Sequence, residues 1–90
     1  WPSCENTVYV HKDMHRKGVG RALLSSILIA ARQAGKSEIV AAIADPNGEG
    51  RPSVALHTAL GYSHVGTFQR VGQKLFRRVD VAFYQRSLEF

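Results

Sequence analysis

A short run of cations and glycines is the part of this sequence with the clearest potential for chemistry. Residues 15–21 are His-Arg-Lys-Gly-Val-Gly-Arg and lead directly into an amphipathic segment. The start of a helix exposes free backbone N–H groups and carries about half a positive charge, so it attracts anions and repels cations. Lys12, Arg16, Lys17 and Arg21 nevertheless crowd this end, and each cation close to the terminus costs about 0.3–1 kcal/mol. A bound phosphate would relieve the repulsion, so this run predicts a phosphate-binding loop.

Two familiar phosphate-binding patterns do not fit the loop. A dinucleotide fingerprint needs Gly or Ala where Leu23 stands, and a Walker loop ending at residues 35–37 needs Gly where Ala30 stands. Residues 35–37 also lie at the wrong end of the helix that they would have to precede. A solvated basic loop, in which Gly18 and Gly20 are ordinary turn residues, stays open as the alternative.

The elements around the loop form a β-α-β unit. Residues 7–11 alternate two valines with other strand-forming side chains, which predicts a strand. Apolar and small residues then recur with a 3.6-residue period, which predicts a helix from about Gly20 to Ala34 that stops at Gly35. The apolar run 39–43 has no alternation, as is typical of a strand covered on both faces. Strand, helix and strand in this order imply a parallel pair with a right-handed crossover.

The second half of the chain adds a helix and two strands. Residues 45–52 contain two prolines and two glycines and are predicted to form a long loop. Ser53 is a suitable N-cap for a short helix over 54–60. Strands are predicted at 64–69 and 76–88, joined as a hairpin around residues 72–74. The predicted fold is therefore α/β with a mixed sheet, in the order β-α-β-α-β-β.

Length and composition limit the classes of protein that the chain can represent. Its 90 residues suffice for one domain, which buries roughly 60–65% of its unfolded surface. No apolar run approaches the roughly 18 residues that a membrane span needs, so no membrane partner is expected. The net charge of +5 favours an anionic partner. Nucleic acid is not expected, because the cations are not interleaved with aromatic residues and no helix-turn-helix, zinc or RNP pattern is present.

Cysteine and histidine point to no further chemistry. The single cysteine, Cys4, cannot form an internal disulfide, and no cationic and apolar leader is recognisable, so a cytoplasmic location is expected. No base can be assigned to Cys4 from spacing, and we expect an inert thiol. His11, His15 and His64 have no cysteine or carboxylate at convincing ligand spacing, so no metal site is expected.

The loop and its neighbours resemble a known family. A strand, then residues 15–20, then a helix is similar to the Q/R-x-x-G-x-G/A signature of the GCN5-related N-acetyltransferases, the GNAT family. Residues 5–10, 53–62 and 71–81 are similar to its phosphinothricin acetyltransferase branch, which acetylates small amino-acid-like amines. The resemblance covers essentially the whole chain but only the C-terminal half of that family's domain. It implies that residues 1–90 form one partial GNAT-like domain.

The resemblance implies acetyl-CoA as co-substrate and a primary amine as acceptor. The backbone from His15 to Arg21 would bind the pyrophosphate, and the strand from Val8 to Val10 would pair with the pantetheine arm. The implied cofactor-binding residues are Val8, Tyr9, Val10, His15, Arg16, Lys17, Gly18, Val19, Gly20 and Arg21.

Two side chains are implied to be catalytic. Glu5 matches the carboxylate proposed as the family's general base, and His57 matches an active-site histidine of the branch. An ammonium group must lose a proton before it attacks a thioester, and a carboxylate can accept that proton directly or through water; a backbone N–H near Val10 would stabilise the oxyanion. The alternatives are a solvated Glu5 ahead of a strand and a packed helix residue at His57. Tyr9 and Tyr62 are expected to line the core or pocket rather than donate protons.

Three departures from the family bear on function. His15 stands where the family has Gln or Arg, which is compatible with binding through amides and would make affinity respond to pH. The loop 47–53 is longer than usual, so no cofactor contact is assigned to Asn47. The family's first strands and helices have no counterpart here, which would leave a sheet edge and an apolar face uncovered. We therefore expect a homodimer or another covering chain, and the alternative function is a truncated, catalytically incomplete module that binds CoA or dimerises.

Overall fold

A computed structural model describes residues 2–6 and 18–89 of the chain. The elements in these ranges are β1 (Ser3–Asn6), α1 (Val19–Gln33), β2 (Glu38–Ala44), α2 (Arg51–Ala59), β3 (Ser63–Lys74) and β4 (Arg77–Ser87). The predicted mixed α/β class and the order β-α-β-α-β-β are confirmed. The strand predicted at 7–11 lies outside the described residues, and β1 precedes it in the chain.

Helix α1 follows from the apolar period of its sequence. It begins after Gly18, which has a φ of +69°, and Leu24 on its inner face is completely buried. Gly35, with a φ of +80°, ends the helix in a Schellman motif, in which the Lys36 N–H donates to the Ala31 carbonyl at 3.1 Å. The helix predicted at 20–34 is therefore confirmed to within one residue at each end.

The four described strands form one mixed sheet in the order β1-β2-β4-β3. Strand β1 runs parallel to β2, as the β-α-β unit predicts, and β4 runs antiparallel to both β2 and β3. Side chains of α1 and α2 pack on one face of this sheet. The buried core there consists of Leu24, Ile39, Ala41, Ile43, Tyr62, Ala82, Tyr84 and Leu88.

The opposite face of the sheet is largely open in the described structure. Ile39, Ala41 and Ile43 of β2 are buried, whereas Ala42 and Ala44, which point the other way, are exposed. The prediction that residues 39–43 are covered on both faces is therefore wrong for the described part of the chain. The reason is that α1 and α2 both pack against the core cluster that contains Ile39, Ala41 and Ile43, so they cover the same face of the sheet.

The β3–β4 hairpin is longer than predicted and is attached to the loop before α2. Its tight turn lies at residues 75–76 rather than around 72–74. Lys74 forms an ion pair with Glu49 at 2.8 Å, and Arg77 forms one with Asp45 at 2.9 Å. The hydrogen bond from Arg77 is the main reason why the pKa of Asp45 lies below its usual value. These pairs hold the hairpin and the β2–α2 loop together.

Candidate active site

The first turn of α1 has the features of an anion site. Among the described residues no side chain caps its N-terminus, and no acidic residue lies in the turn. A helix start leaves backbone N–H groups without intrahelical partners, and these groups attract anions. Gly18 has space for a side chain, since nothing described lies within 4 Å of a Cβ placed there, but its φ of +69° disfavours one. The turn is therefore compatible with a phosphate group.

The structure describes four of the ten predicted cofactor-binding residues. Gly18, Val19, Gly20 and Arg21 form the start of α1, where Gly20 is buried and the other three are exposed. The remaining predicted cofactor-binding residues lie outside the described ranges: Val8, Tyr9, Val10, His15, Arg16 and Lys17. For all ten residues, the role in cofactor binding stays a prediction.

The two predicted catalytic residues are not brought together. Glu5 is opposite Val40 in the β1–β2 register, and Asn6 is opposite Ala41. Ala41 belongs to the helix-covered core, and successive side chains of a strand point to opposite faces. Glu5 is accordingly exposed on the open face, whereas His57 is buried on the other side, where it contacts Asn6.

Three buried side chains from distant parts of the chain form what we call the Asn6 network: Asn6, His57 and Tyr62. The Tyr62 hydroxyl donates to Asn6 Oδ1 at 2.6 Å, and Asn6 Nδ2 lies 3.2 Å from His57 Nε2. His57 Nδ1 lies 2.7 Å from the carbonyl oxygen of Ser53. The exposed fractions are 5% for Asn6, 1% for His57 and 3% for Tyr62. Within the described structure, no buried polar side-chain atom lacks a hydrogen-bond partner.

The hydrogen bonds assign the tautomer of His57. A carbonyl oxygen only accepts, so Nδ1 carries the proton toward Ser53. In the neutral ring Nε2 is then an acceptor, and the Asn6 amide donates to it. Burial lowers the pKa of His57, which the bond to Ser53 partly opposes. Burial also raises the pKa of Tyr62 to about 12, so both rings are held neutral.

Sequence reasoning missed Asn6. Asn6 shares the two-residue alternation of Val8 and Val10 in the sequence, and extending that alternation backwards would have placed it on the inner face. Tyr62 was expected to line the core or the pocket, and the structure places it in the buried core. Neither pattern contains the information that the two side chains meet at His57.

The stability of the fold is expected to fall in acid because of His57. Its folded pKa lies below 6.5, whereas the unfolded chain takes up the proton near that ordinary value. Its contribution to stability is therefore fully present above about pH 6.5 and is lost as the pH falls through the folded pKa. Denaturant titrations between about pH 7 and about pH 5 should show a steeper decline for the wild type than for His57→Gln, which cannot take up this proton. Parallel pH dependences of the two proteins would contradict the neutral, buried histidine.

The described residues contain neither a cluster of metal ligands nor a helix that could span a membrane. Over 2–6 and 18–89, no three His, Cys, Asp or Glu side chains lie together in a way that could hold a metal ion. Neither described helix is long and apolar enough to cross a bilayer.

The fold and the start of α1 belong to a known class. The family described as "Acetyltransferase (GNAT) domain" matches residues 3–82. The chain is therefore a member of the GNAT acetyltransferase family, and the resemblance seen in the sequence is confirmed.

Within that family, two similar proteins are N-acyltransferases with names that refer to amino-acid compounds. The chain is 40% identical over 85 residues to the Escherichia coli L-amino acid N-acyltransferase MnaT, a match that covers 94% of this chain and 48% of that protein. It is 40% identical over 86 residues to a Streptomyces coelicolor phosphinothricin N-acetyltransferase, a match that covers 96% of this chain and 48% of that protein. The chain thus spans about half the length of the curated relatives it matches.

Solved structures of acetyltransferases also superpose on this chain. A Salmonella typhimurium protein, yncA, solved with its cofactor acetyl-CoA, superposes with a TM-score of 0.85 at 37% identity over 99% of this chain and 50% of its own. A Sinorhizobium meliloti phosphinothricin acetyltransferase in complex with acetyl-CoA superposes with a TM-score of 0.82 at 33% identity. The match covers 94% of this chain and 44% of that protein.

Proposed function

We propose that this chain is the C-terminal half of an N-acetyltransferase domain that transfers acetyl from acetyl-CoA to the primary amine of a small amino-acid-like substrate. The observation that carries this proposal is the first turn of α1 in a chain of the GNAT family: it has no acidic residue, and no described side chain caps it. Backbone amides of that turn would bind the pyrophosphate of acetyl-CoA. The neighbours solved with acetyl-CoA support the choice of co-substrate.

The proposed chemical step needs a proton acceptor near the amine. Glu5 is the candidate, because its side chain is exposed on the open face of the sheet. It would take a proton from the ammonium group, directly or through water. The free amine then attacks the thioester carbonyl, and the C–N bond forms. The C–S bond breaks, and the nitrogen releases a second proton, which the leaving CoA thiolate takes up. The proposed part of His57 is indirect, since both of its ring nitrogens are engaged.

The acceptor class comes from the relatives. Their names refer to L-amino acids, phosphinothricin, and methionine sulfoximine or methionine sulfone. These compounds share an α-amine next to a carboxylate, so a panel of amino acids together with phosphinothricin and methionine sulfoximine is the appropriate set of substrates. Release of free thiol from acetyl-CoA reports turnover for each of them.

Replacing Glu5 with glutamine is expected to lower turnover by about 10²- to 10⁴-fold, the range for loss of a general base. The amide keeps the size of the side chain but cannot accept the proton. Thiol release measures the effect, and calorimetry checks that coenzyme A still binds. Glu89→Gln is the matched control, because Glu89 is also exposed but lies near the other end of the chain. Full activity in Glu5→Gln would exclude Glu5 as the base.

A second candidate function is a binding module without turnover. The open sheet face and the half-length coverage of the relatives favour it. Exposed apolar side chains such as Phe68 and Val65 would then be covered by a second copy, as a homodimer, or by another chain. This module would bind coenzyme A, and Glu5→Gln would change nothing that can be measured. Gel filtration with and without coenzyme A would report self-association, and a folded, CoA-bound sample that releases no thiol would favour the module over the enzyme.

The organisation and location of the chain complete the proposal. Residues 1–90 would form a single partial domain, supported by the one core cluster that both helices and the sheet share. A cytoplasmic location is supported by the single cysteine, Cys4.

A further inference from the structure

The Asn6 network joins the end of β1 to two elements that are far away in the sequence. Asn6 is the last residue of β1, His57 belongs to α2, and Tyr62 immediately precedes β3. The two bonds of the Asn6 side chain span 51 and 56 residues of the chain. The rings of His57 and Tyr62 also meet edge to face, with centroids 4.8 Å apart. The side chain of Asn6 is therefore held in one orientation by two neutral groups.

Strand β1 needs such an anchor. Its four residues pair with β2 alone in the described sheet, in a register that ends at Asn6 and Ala41. A strand that is paired on one side only has fewer backbone hydrogen bonds than a central strand and opens more readily. The bonds of Asn6 add a connection on the helix-covered side of the sheet, at the C-terminal end of the described strand.

The anchor also determines where Glu5 points. Glu5 immediately precedes Asn6, and its side chain leaves the strand on the opposite face. A rotation or slip of β1 that removed Asn6 from the core would move Glu5 with it. A displacement of about 1 Å at a reacting group is enough to lower a rate about 10²-fold.

We infer that Asn6 is a positioning residue for Glu5, and that His57 and Tyr62 act through Asn6 by holding its side chain. The inference rests on the proposed role of Glu5 in acetyl transfer. His57 itself takes no proton in this arrangement: Nδ1 donates to Ser53, and the Nε2 lone pair accepts from Asn6.

Kinetics of single substitutions test this inference. Asn6→Ala and Tyr62→Phe should each lower kcat by about 10- to 100-fold, while the dissociation constant for coenzyme A changes by less than about twofold. Val79→Ala is the control for general loss of stability, because Val79 is buried in β4 and pairs with β3, away from β1. If Asn6→Ala lost no more turnover than Val79→Ala, the network would be merely structural.

A pair of substitutions at His57 separates positioning from proton transfer. Glutamine keeps an oxygen that can accept from the Asn6 amide, whereas leucine does not. His57→Gln should therefore retain at least about tenfold more activity than His57→Leu, with the pH profile of kcat/KM unchanged. Equal losses in both variants, together with a missing limb of the pH profile, would instead identify His57 as an acid or base and overturn the inference.

Amide hydrogen exchange tests the anchor without any need for turnover. Asn6→Ala should raise the exchange rates of the β1 amides that bond to β2 by about tenfold or more relative to Val79→Ala. Nitrogen chemical shifts of His57 should place the ring proton on Nδ1. Unchanged protection of β1, or a proton on Nε2, would overturn the inference, whereas a chain with the expected exchange but no thiol release would contradict only the proposed enzymatic function.

Discussion

Replacing Gly50 with alanine is expected to destabilise the fold by about 2–3 kcal/mol, the upper part of the range for overpacking. A Cβ at this position would lie 2.1 Å from the Ala44 carbonyl oxygen and 2.8 Å from that of Asp45. Both atoms belong to the backbone at the end of β2 and the start of the following loop, so they cannot rotate away. Gly50 immediately precedes α2, and the clash would push this helix and His57 away from the sheet.

The matched control for this prediction is Gly66→Ala. Gly66 lies in β3, no described atom lies within 4 Å of its added Cβ, and its φ is outside the positive range. Its free energy of unfolding should stay within about 0.5 kcal/mol of the wild type. Denaturant titrations compare the three proteins, and the intensity of the Asn6 and His57 resonances reports whether the network survives. Equal stability of the two variants would show that the close approach of α2 to β2 is not as described.

Replacing Gly18 with valine is expected to weaken coenzyme A binding by about tenfold or more. A left-handed conformation costs a residue with a side chain about 1–2 kcal/mol, which corresponds to roughly a 5- to 30-fold change in an equilibrium constant. Valine is β-branched, so the backbone at the start of α1 should leave its φ of +69°. The first-turn amides would then no longer converge on a phosphate. Calorimetric titration with coenzyme A measures the affinity directly.

Gly35→Val separates this effect from the loss of stability. Gly35 lies at the other end of the same helix and has a φ of +80°. As at Gly18, no described atom lies within 4 Å of a Cβ placed there. Both valine variants should therefore lose a similar amount of stability, but only Gly18→Val should lose affinity. If the two variants bound coenzyme A equally well, the proposed pyrophosphate site at the start of α1 would be refuted, whatever the outcome for Glu5.

Local sequence patterns predicted both helices and the order of the elements, but α2 begins at Arg51 and not after the predicted N-cap Ser53. The 3.6-residue period places α1 correctly because each turn of a helix contacts its near neighbours in the chain, and Gly35 marks its end through its own backbone preference. The extent of the hairpin was less predictable, because β3 continues past an irregularity between Phe68 and Gly72. No local pattern identifies such a bulge, which depends on the partner strand.

The coverage of β2 could not be predicted from its sequence. Its continuous apolar run was interpreted as a strand buried on both faces, yet Ala42 and Ala44 are exposed in the described structure. A run of alanine, valine and isoleucine indicates only that either face of the strand can be buried. Which face is covered depends on where α1 and α2 pack, and both contribute to one core cluster.

By itself, the sequence determined the fold class, the family and the glycine-rich start of α1, because each can be recognised from short runs of consecutive residues. Only the tertiary structure decided how Glu5 and Asn6 divide between the two faces of the sheet and which side chains meet there. Asn6 reaches His57 and Tyr62 across 51 and 56 residues, and no local period encodes such a contact. These bonds exist because α2 and the residue before β3 bring polar groups into the core, where each buried donor and acceptor requires a partner.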